Sequence, residues 1–283
     1  MKGSITFVLF TLVLTLGAFI YFFERDTSST AEQNARARKA FMIDPDDIQE
    51  IVIERDGFKL VCNREEDQWV LREPVTDLAD EGLIHRFLYF LELLRKNTTI
   101  TAPERQERNL TLSDYGMDTP QALIRLTGKT RSKTYLIGRK ATLDDRIYVK
   151  ENSQDVIVSV DHHLLQMIPA STADWRVRNL FHENASDITR FSIRRSDGFI
   201  QAGRRDSGQW IIQQPIKTRA SVAAVQRLLD SLLPLQIEAF ITDSAKDLTA
   251  YGLDHPATEL ALWRKNSKTP DTLLIGKSIE TMT

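Results

Sequence analysis

The chain has 283 residues, with 37 Lys and Arg against 39 Asp and Glu and a formal net charge of −2. That balance excludes the basic footprint expected of a nucleic-acid binder. The one cysteine, Cys62, excludes an intramolecular disulfide and any multi-cysteine metal site.

The first element is Ile5–Phe23, ITFVLFTLVLTLGAFIYFF, nineteen residues without a charge. At a helical rise of about 1.5 Å per residue it spans most of a roughly 30 Å hydrocarbon layer. Lys2 precedes it, and Glu24, Arg25 and Asp26 follow it. The basic-residue bias places the N-terminus in the cytoplasm and residues 24–283 outside it. Phe19, Tyr21, Phe22 and Phe23 suit the outer interface. A cleavable signal peptide is the competing reading, with Ser28, Ser29 and Ala31 near a cleavage point, and a buried helix is a third. The unbroken apolar run into aromatic residues favours an uncleaved anchor over 1–25. Residues 26–40, rich in Ser, Thr, Ala and Arg, read as a tether with a helical piece near Ala35–Ala40.

Short strands are expected at Glu50–Glu54, Lys59–Cys62 and Gln68–Leu71, with Asp56-Gly57 as a tight turn. Trp69 reads as a core anchor, with ligand stacking as the alternative, and Cys62 as a small core thiol rather than a reactive one. Asp80 caps an amphipathic helix in which Leu83, Ile84, Phe87, Leu88, Leu91 and Leu94 recur at helical spacing up to Lys96. Arg95 and Lys96 are expected in its last turn, against the helix dipole. Residues 98–109 read as polar and solvent-facing. In Leu112–Pro120, Tyr115 and Met117 can pack and Gly116 can end a helical turn. Ala122–Leu126 and Thr134–Ile137 read as a strand pair followed by a turn at Gly138. Arg146–Val149 and Val156–Ser159 form a hairpin, and a short helix runs from Asp161 to Met167, stopped by Pro169.

These elements return. Asp47-Ile48 pairs with Asp187-Ile188, Ile51-Val52-Ile53 with Phe191-Ser192-Ile193, and Asp56-Gly57 with Asp197-Gly198. Trp69 and Pro74 recur 141 positions later as Trp210 and Pro215. Val222, Val225, Leu228, Leu229 and Leu232 repeat the helix. Tyr115-Gly116 returns as Tyr251-Gly252, Pro120 as Pro256, and Leu136-Ile137-Gly138 as Leu274-Ile275-Gly276. The expected fold is α+β: a transmembrane helix, then two duplicated modules of antiparallel sheet covered by an amphipathic helix, over 41–178 and 179–283. Counterparts of the Arg146–Ser159 hairpin are missing after Ile279. A shortened second repeat and a truncation both account for that, and the last strand pair is expected to have an uncovered edge.

The segments Gln68–Pro74, Asp114–Met117 and Tyr135–Gly138, with their partners Gln209–Pro215, Tyr251–Leu253 and Leu274–Gly276, resemble the bacterial family called domain of unknown function 4340. The resemblance covers nearly all of residues 41–279. It implies an envelope protein of the inner membrane, associated with ABC-type export systems, and it supplies no catalytic residues.

No chemistry assembles from the residues themselves. There is no phosphate-binding G-x-x-x-x-G-K-[ST] loop, so energy would come from another polypeptide. His85, His162, His163, His182 and His255 lack metal-site spacing and read as structural or solvent-facing. No G-x-S-x-G elbow occurs, and Asp46-Asp47 and Asp144-Asp145 read as capping or solvation pairs. Lys59, Lys129 and Lys133 are scattered among acidic residues. No cofactor, metal ligand or catalytic set is expected. The chain is expected to be a noncatalytic subunit held in the bilayer through residues 5–23, with a membrane transporter or another envelope protein as partner. An extracytoplasmic substrate- or glycan-binding module is the alternative, and an enzyme built from distant residues a weaker one.

Overall fold

The computed structural model describes residues 10–13, 15, 30–142, 144–182, 184–265 and 267–278. Most of the expected span Ile5–Phe23 lies outside them. No helix among the described residues is long and apolar enough to cross a membrane. The chain divides into two compact units, Met1–Arg176 and Val177–Thr283.

In the first unit α1 spans Thr30–Ala37. The expected tether already belongs to the fold at its end: Lys39 bridges to Arg95, and its Nζ lies 2.8 Å from Glu92 Oε1. β1 (Ile48–Arg55) and β2 (Phe58–Glu65) form a hairpin with Arg55 opposite Phe58. Asp56 and Gly57 both have positive φ, which a two-residue turn matching strand twist requires. β3 (Gln68–Glu73) and the short β4 (Asp77–Leu78) extend the sheet.

α2 (Glu81–Leu93) starts where Asp80 accepts a hydrogen bond from the Leu83 N–H at 3.0 Å. It ends earlier than its apolar spacing suggests, so Arg95 and Lys96 lie beyond the last turn. Leu94 is extended, and the Lys96 N–H donates to the Arg38 carbonyl at 2.8 Å. Pairing with the N-terminal segment satisfies those backbone groups instead of another helical turn.

Residues 98–109 differ from the solvent-facing expectation. β5 (Thr98–Thr101) is the last strand of the sheet, and α3 (Ala102–Glu107) carries Arg105, which is buried and paired with Asp155. A long guanidinium can be buried when its charge is matched, so a polar string need not be loop. β6 (Ala122–Gly128), β7 (Ser132–Lys140), β8 (Arg146–Glu151) and β9 (Val156–Asp161) complete a nine-stranded antiparallel sheet, ordered β4-β3-β2-β1-β6-β7-β8-β9-β5. Gly138 lies inside β7 rather than in a turn. α4 (Leu164–Met167) follows. One sheet face packs against α2 through Ile84, Phe87, Leu88 and Leu91. Each such burial contributes about 1.5–3 kcal/mol. A smaller cluster around Tyr115, Met117 and Ile157 packs with Tyr148 and Leu136, residues that alternate along β7–β9 with the main core.

The second unit repeats this plan in six antiparallel strands. They are β10 (Ile188–Arg195), β11 (Gly198–Arg204), β12 (Trp210–Gln214), β13 (Thr218–Arg219), β14 (Thr258–Arg264) and β15 (Asp271–Ile275), in the order β13-β12-β11-β10-β14-β15. α5 (Val222–Leu232) is capped by Ser221, whose Oγ accepts from the Ala224 N–H at 3.3 Å. Details recur along with the order. The register slips between Ile48 and Glu50 in one unit and between Ile188 and Arg190 in the other. The Trp69 carbonyl accepts from Ala79 N–H at 2.9 Å, and the Trp210 carbonyl from Ala220 N–H at 3.0 Å. Glu73–Pro74 and Gln214–Pro215 are both cis. Among the described residues no counterparts of β5, β8 and β9 are present, and β15 is an edge strand.

Candidate functional site

The residues with possible chemistry are dispersed. His162 Nδ1 lies 3.8 Å from Asp145 Oδ1, whereas the adjacent His163 turns to Gln166 at 2.9 Å and sets its ring edge-on against Phe90. Lys140, hydrogen-bonded to Asp145, holds that carboxyl below the usual range. His85 sits on α2 within 3.4 Å of Glu81 and stacks with Tyr89. His182 and His255 are exposed in the second unit. Among the described residues no group of three or more His, Cys, Asp and Glu is placed to hold a metal ion.

The acidic pairs serve local roles. The Asp46 N–H donates to Asp44 in the first turn of the 3-10 helix Pro45–Asp47, and Asp144 lies 3.5 Å from Arg146. Lys59 pairs with Glu73 and Lys133 with Glu151, while Lys129 is exposed. Cys62 is buried and its thiol is pushed up to about 12 by desolvation, so it stays protonated and is a poor nucleophile. Trp69 lies in the core of the first unit, which leaves its indole no face for a ligand.

A contrast between the units defines the candidate site. In the first unit the chain returns over α2 after β9. Arg55 Nη1 donates to the carbonyls of Leu165 at 2.9 Å and Ile168 at 3.1 Å. The Phe87 and Trp175 rings meet edge-on at 5.2 Å, and the Asp80 N–H donates to the Trp175 carbonyl at 2.7 Å. Leu164, Leu165, Ile168 and Trp175 thereby join the core that contains Ile53, Leu60, Phe87, Leu91 and Ile124. These five are at most 1% exposed. A cleft of about 570 Å³ lies to the side of the return segment, lined in part by Arg55, Arg86, His162 and Asp174; the difference between the units is in which core residues are covered, not in cleft volume.

By strand register and cap position the corresponding residues of the second unit are Ile193, Ile200, Leu228, Leu232 and Leu260. Together they line a groove of about 520 Å³, with Arg195 in the place of Arg55. Ile200 is 46% exposed where Leu60 is fully buried. The Arg195 side chain makes no hydrogen bond or ion pair among the described residues. The arrangement can bind rather than react: a bare apolar floor accepts nonpolar side chains, and a guanidinium can take up exposed carbonyls. Sequence reasoning missed this groove. Its signals were the paired strand-end arginines, Arg55 and Arg195, and the apolar Ile200 aligned with a core residue.

A family model described as Domain of unknown function (DUF4340) matches residues 69–256 and 210–282. No curated protein and no solved structure matches the chain.

Proposed function

The chain belongs to the DUF4340 family, and from that premise we propose that it is a noncatalytic, membrane-anchored envelope subunit, an accessory or scaffold component of an ABC-type export system. The observation that carries the docking role is the open groove of the second unit. Its counterpart in the first unit is filled by the chain's own segment from Leu164 to Trp175. The occupant we assign to the second groove has the same chemistry: a short apolar turn of a partner protein, with its last carbonyls on Arg195.

The uncharged run Ile5–Phe23 supports a single-pass anchor in the bacterial inner membrane, with the folded units outside the cytoplasm. Anchoring raises the local concentration of the docking surface near a transporter. The link to export systems rests on the family resemblance, and the lack of a phosphate-binding loop fits a subunit whose energy source is another polypeptide.

Quantitative crosslinking in native membranes tests this reading. Replacing residues 5–23 with an unrelated single-span anchor should retain capture of a transporter subunit. Removing residues 41–279 should abolish it. If the deletion still captures the transporter as fully as the intact chain, the folded units are not the docking surface.

A further inference from the structure

The backbone edge of the second sheet is a surface of a different kind from the groove. Among the described residues the two sheets end in β4, β5, β13 and β15. β4 and β13 have two residues each, and β5 has four and runs directly into α3. β15 has five, and Leu274 and Ile275 are 39% and 47% exposed. An edge of that length with apolar side chains is a template for another strand. Its hydrogen-bonding direction follows from the first unit, where Leu136-Ile137-Gly138 corresponds to Leu274-Ile275-Gly276. On β7 the Ile137 carbonyl accepts from the Gln121 N–H beside β6, and the Thr134 carbonyl from the Asn152 N–H beside β8, each at 2.8 Å. Peptide groups alternate along an antiparallel strand, so those of Thr272 and Leu274 point to the open side of β15.

The occupant is written in the charge pattern of the edge itself. The segment Asp271–Lys277, DTLLIGK, is complementary to itself about Leu274. Run antiparallel against a second copy, it sets Leu274 opposite Leu274, Leu273 opposite Ile275, Thr272 opposite Gly276 and Asp271 opposite Lys277. A slip of two residues is the smallest that keeps the outward peptide groups opposed. In one direction it puts Asp271 opposite Ile275, and in the other Lys277 opposite Leu273. Either leaves an ionised side chain facing an apolar one, so the charges select a single register. Both charges are available for it. Lys277 is exposed and its side chain makes no ion pair among the described residues. Asp271 lies 3.1 Å from Arg264 Nε through Oδ2, which leaves Oδ1 for a second cation.

We infer that β15 is a dimerisation edge: it pairs antiparallel with β15 of a second copy of this chain, about a two-fold axis through Leu274. The interface is isologous, so Asp271 of each copy meets Lys277 of the other and the attraction is made twice. The axis stands perpendicular to the sheet, which puts α5 of both copies on the same side of one continuous sheet. Leu273, packed on the core of the second unit, and Ile275, on the groove floor, then meet Ile275 and Leu273 of the second copy. Apolar and opposite-charge pairs directly across from each other are the pairs that stabilise antiparallel strands. The pairing uses the backbone edge and needs no transporter, so it stands or falls separately from the docking role of the groove.

Sedimentation equilibrium of the full chain in detergent tests it. A dimer is expected at micromolar concentration. Lys277→Glu and Asp271→Lys each set two like-charge pairs across the interface, and each should weaken dimerisation about tenfold or more. An equimolar mixture of the two variants should recover the dimer, because every facing pair then carries opposite charges again. A second measurement fixes the register. In a Cys62→Ala background, Leu274→Cys places two thiols opposite each other with Cα atoms about 5.5 Å apart, within disulfide reach. Oxidation with copper phenanthroline should link that variant into dimers and leave Thr272→Cys, which faces Gly276, unlinked. A monomer at every concentration, a dimer unaltered by both charge variants, a mixture no more dimeric than its components, or equal linkage at positions 272 and 274 would overturn the assignment.

Discussion

The carbonyl oxygen of Tyr115 lies so close to Gly138 that a Cβ placed on the glycine would come within 2.1 Å of it. Tyr251 stands in the same relation to Gly276, also at 2.1 Å. Gly116 and Gly252, at φ +73° and +66°, turn the chain so that each tyrosine carbonyl meets its strand. The repeated Tyr-Gly and Leu-Ile-Gly strings are thus the two halves of one contact, made once in each unit.

Gly138→Ala and Gly276→Ala should each cost about 1–3 kcal/mol, because backbone at that distance must move to admit a methyl group. Gly198→Ala is the control. It has no positive φ and nothing within 4 Å of its added Cβ, so restricting the unfolded chain should make it neutral or stabilising by about 0.4–1 kcal/mol. Hydrogen exchange followed separately in each unit measures all three.

Trp69→Ala should destabilise the first unit by about 3–5 kcal/mol, as expected for a large indole removed from a closed core. Trp210, which packs on Phe191 at 5.6 Å, is 6% exposed against 2% for Trp69. Trp210→Ala should cost less, because the core around it is smaller and already leaves the ring more exposed. Equal losses in the two units would remove this distinction.

Cys62 gives a pH signature. Its folded-state thiol is raised from 9.0 to about 12 by burial. The unfolded chain therefore loses this proton first, so the stability contribution is complete below pH 9 and is lost as pH rises toward 12. The slope should approach about 1.4 kcal/mol per pH unit above pH 9. Cys62→Ala should remove that part of the slope in denaturant titrations between pH 8 and 10. The native thiol should also resist alkylation at pH 8 until the first unit unfolds.

Much of this architecture was legible because both periodicity and repetition reported it. The Asp80 cap and the Ile84, Phe87, Leu88 and Leu91 stripe located α2, and the spacing from Trp69 to Trp210 located the second copy. The end of α2 was not legible, since Lys96 pairs with Arg38, far away in sequence. Residues 98–109 misled for a related reason: Thr98–Thr101 becomes a strand only by pairing with β9, and Arg105 is buried only because Asp155 meets it. The groove escaped notice because it is defined by what covers its counterpart.

Arg55 and Arg195 should separate under mutation. Arg55→Ala removes two hydrogen bonds to the Leu165 and Ile168 carbonyls and should loosen residues 164–175 in hydrogen exchange, with a loss of about 1–3 kcal/mol. Arg195→Ala should change stability by no more than about 0.5 kcal/mol, yet reduce partner capture. A large stability loss at Arg195 would mean that it is structural.

The most direct measurement places a photo-crosslinking side chain at Ile200, in the groove, and separately at Gln201, on the opposite face of the same strand, in the full chain in native membranes. The account predicts a discrete adduct with a transporter subunit from position 200, lost on Arg195→Glu, and none from position 201. No adduct at position 200, or equal adducts at both positions, would contradict it.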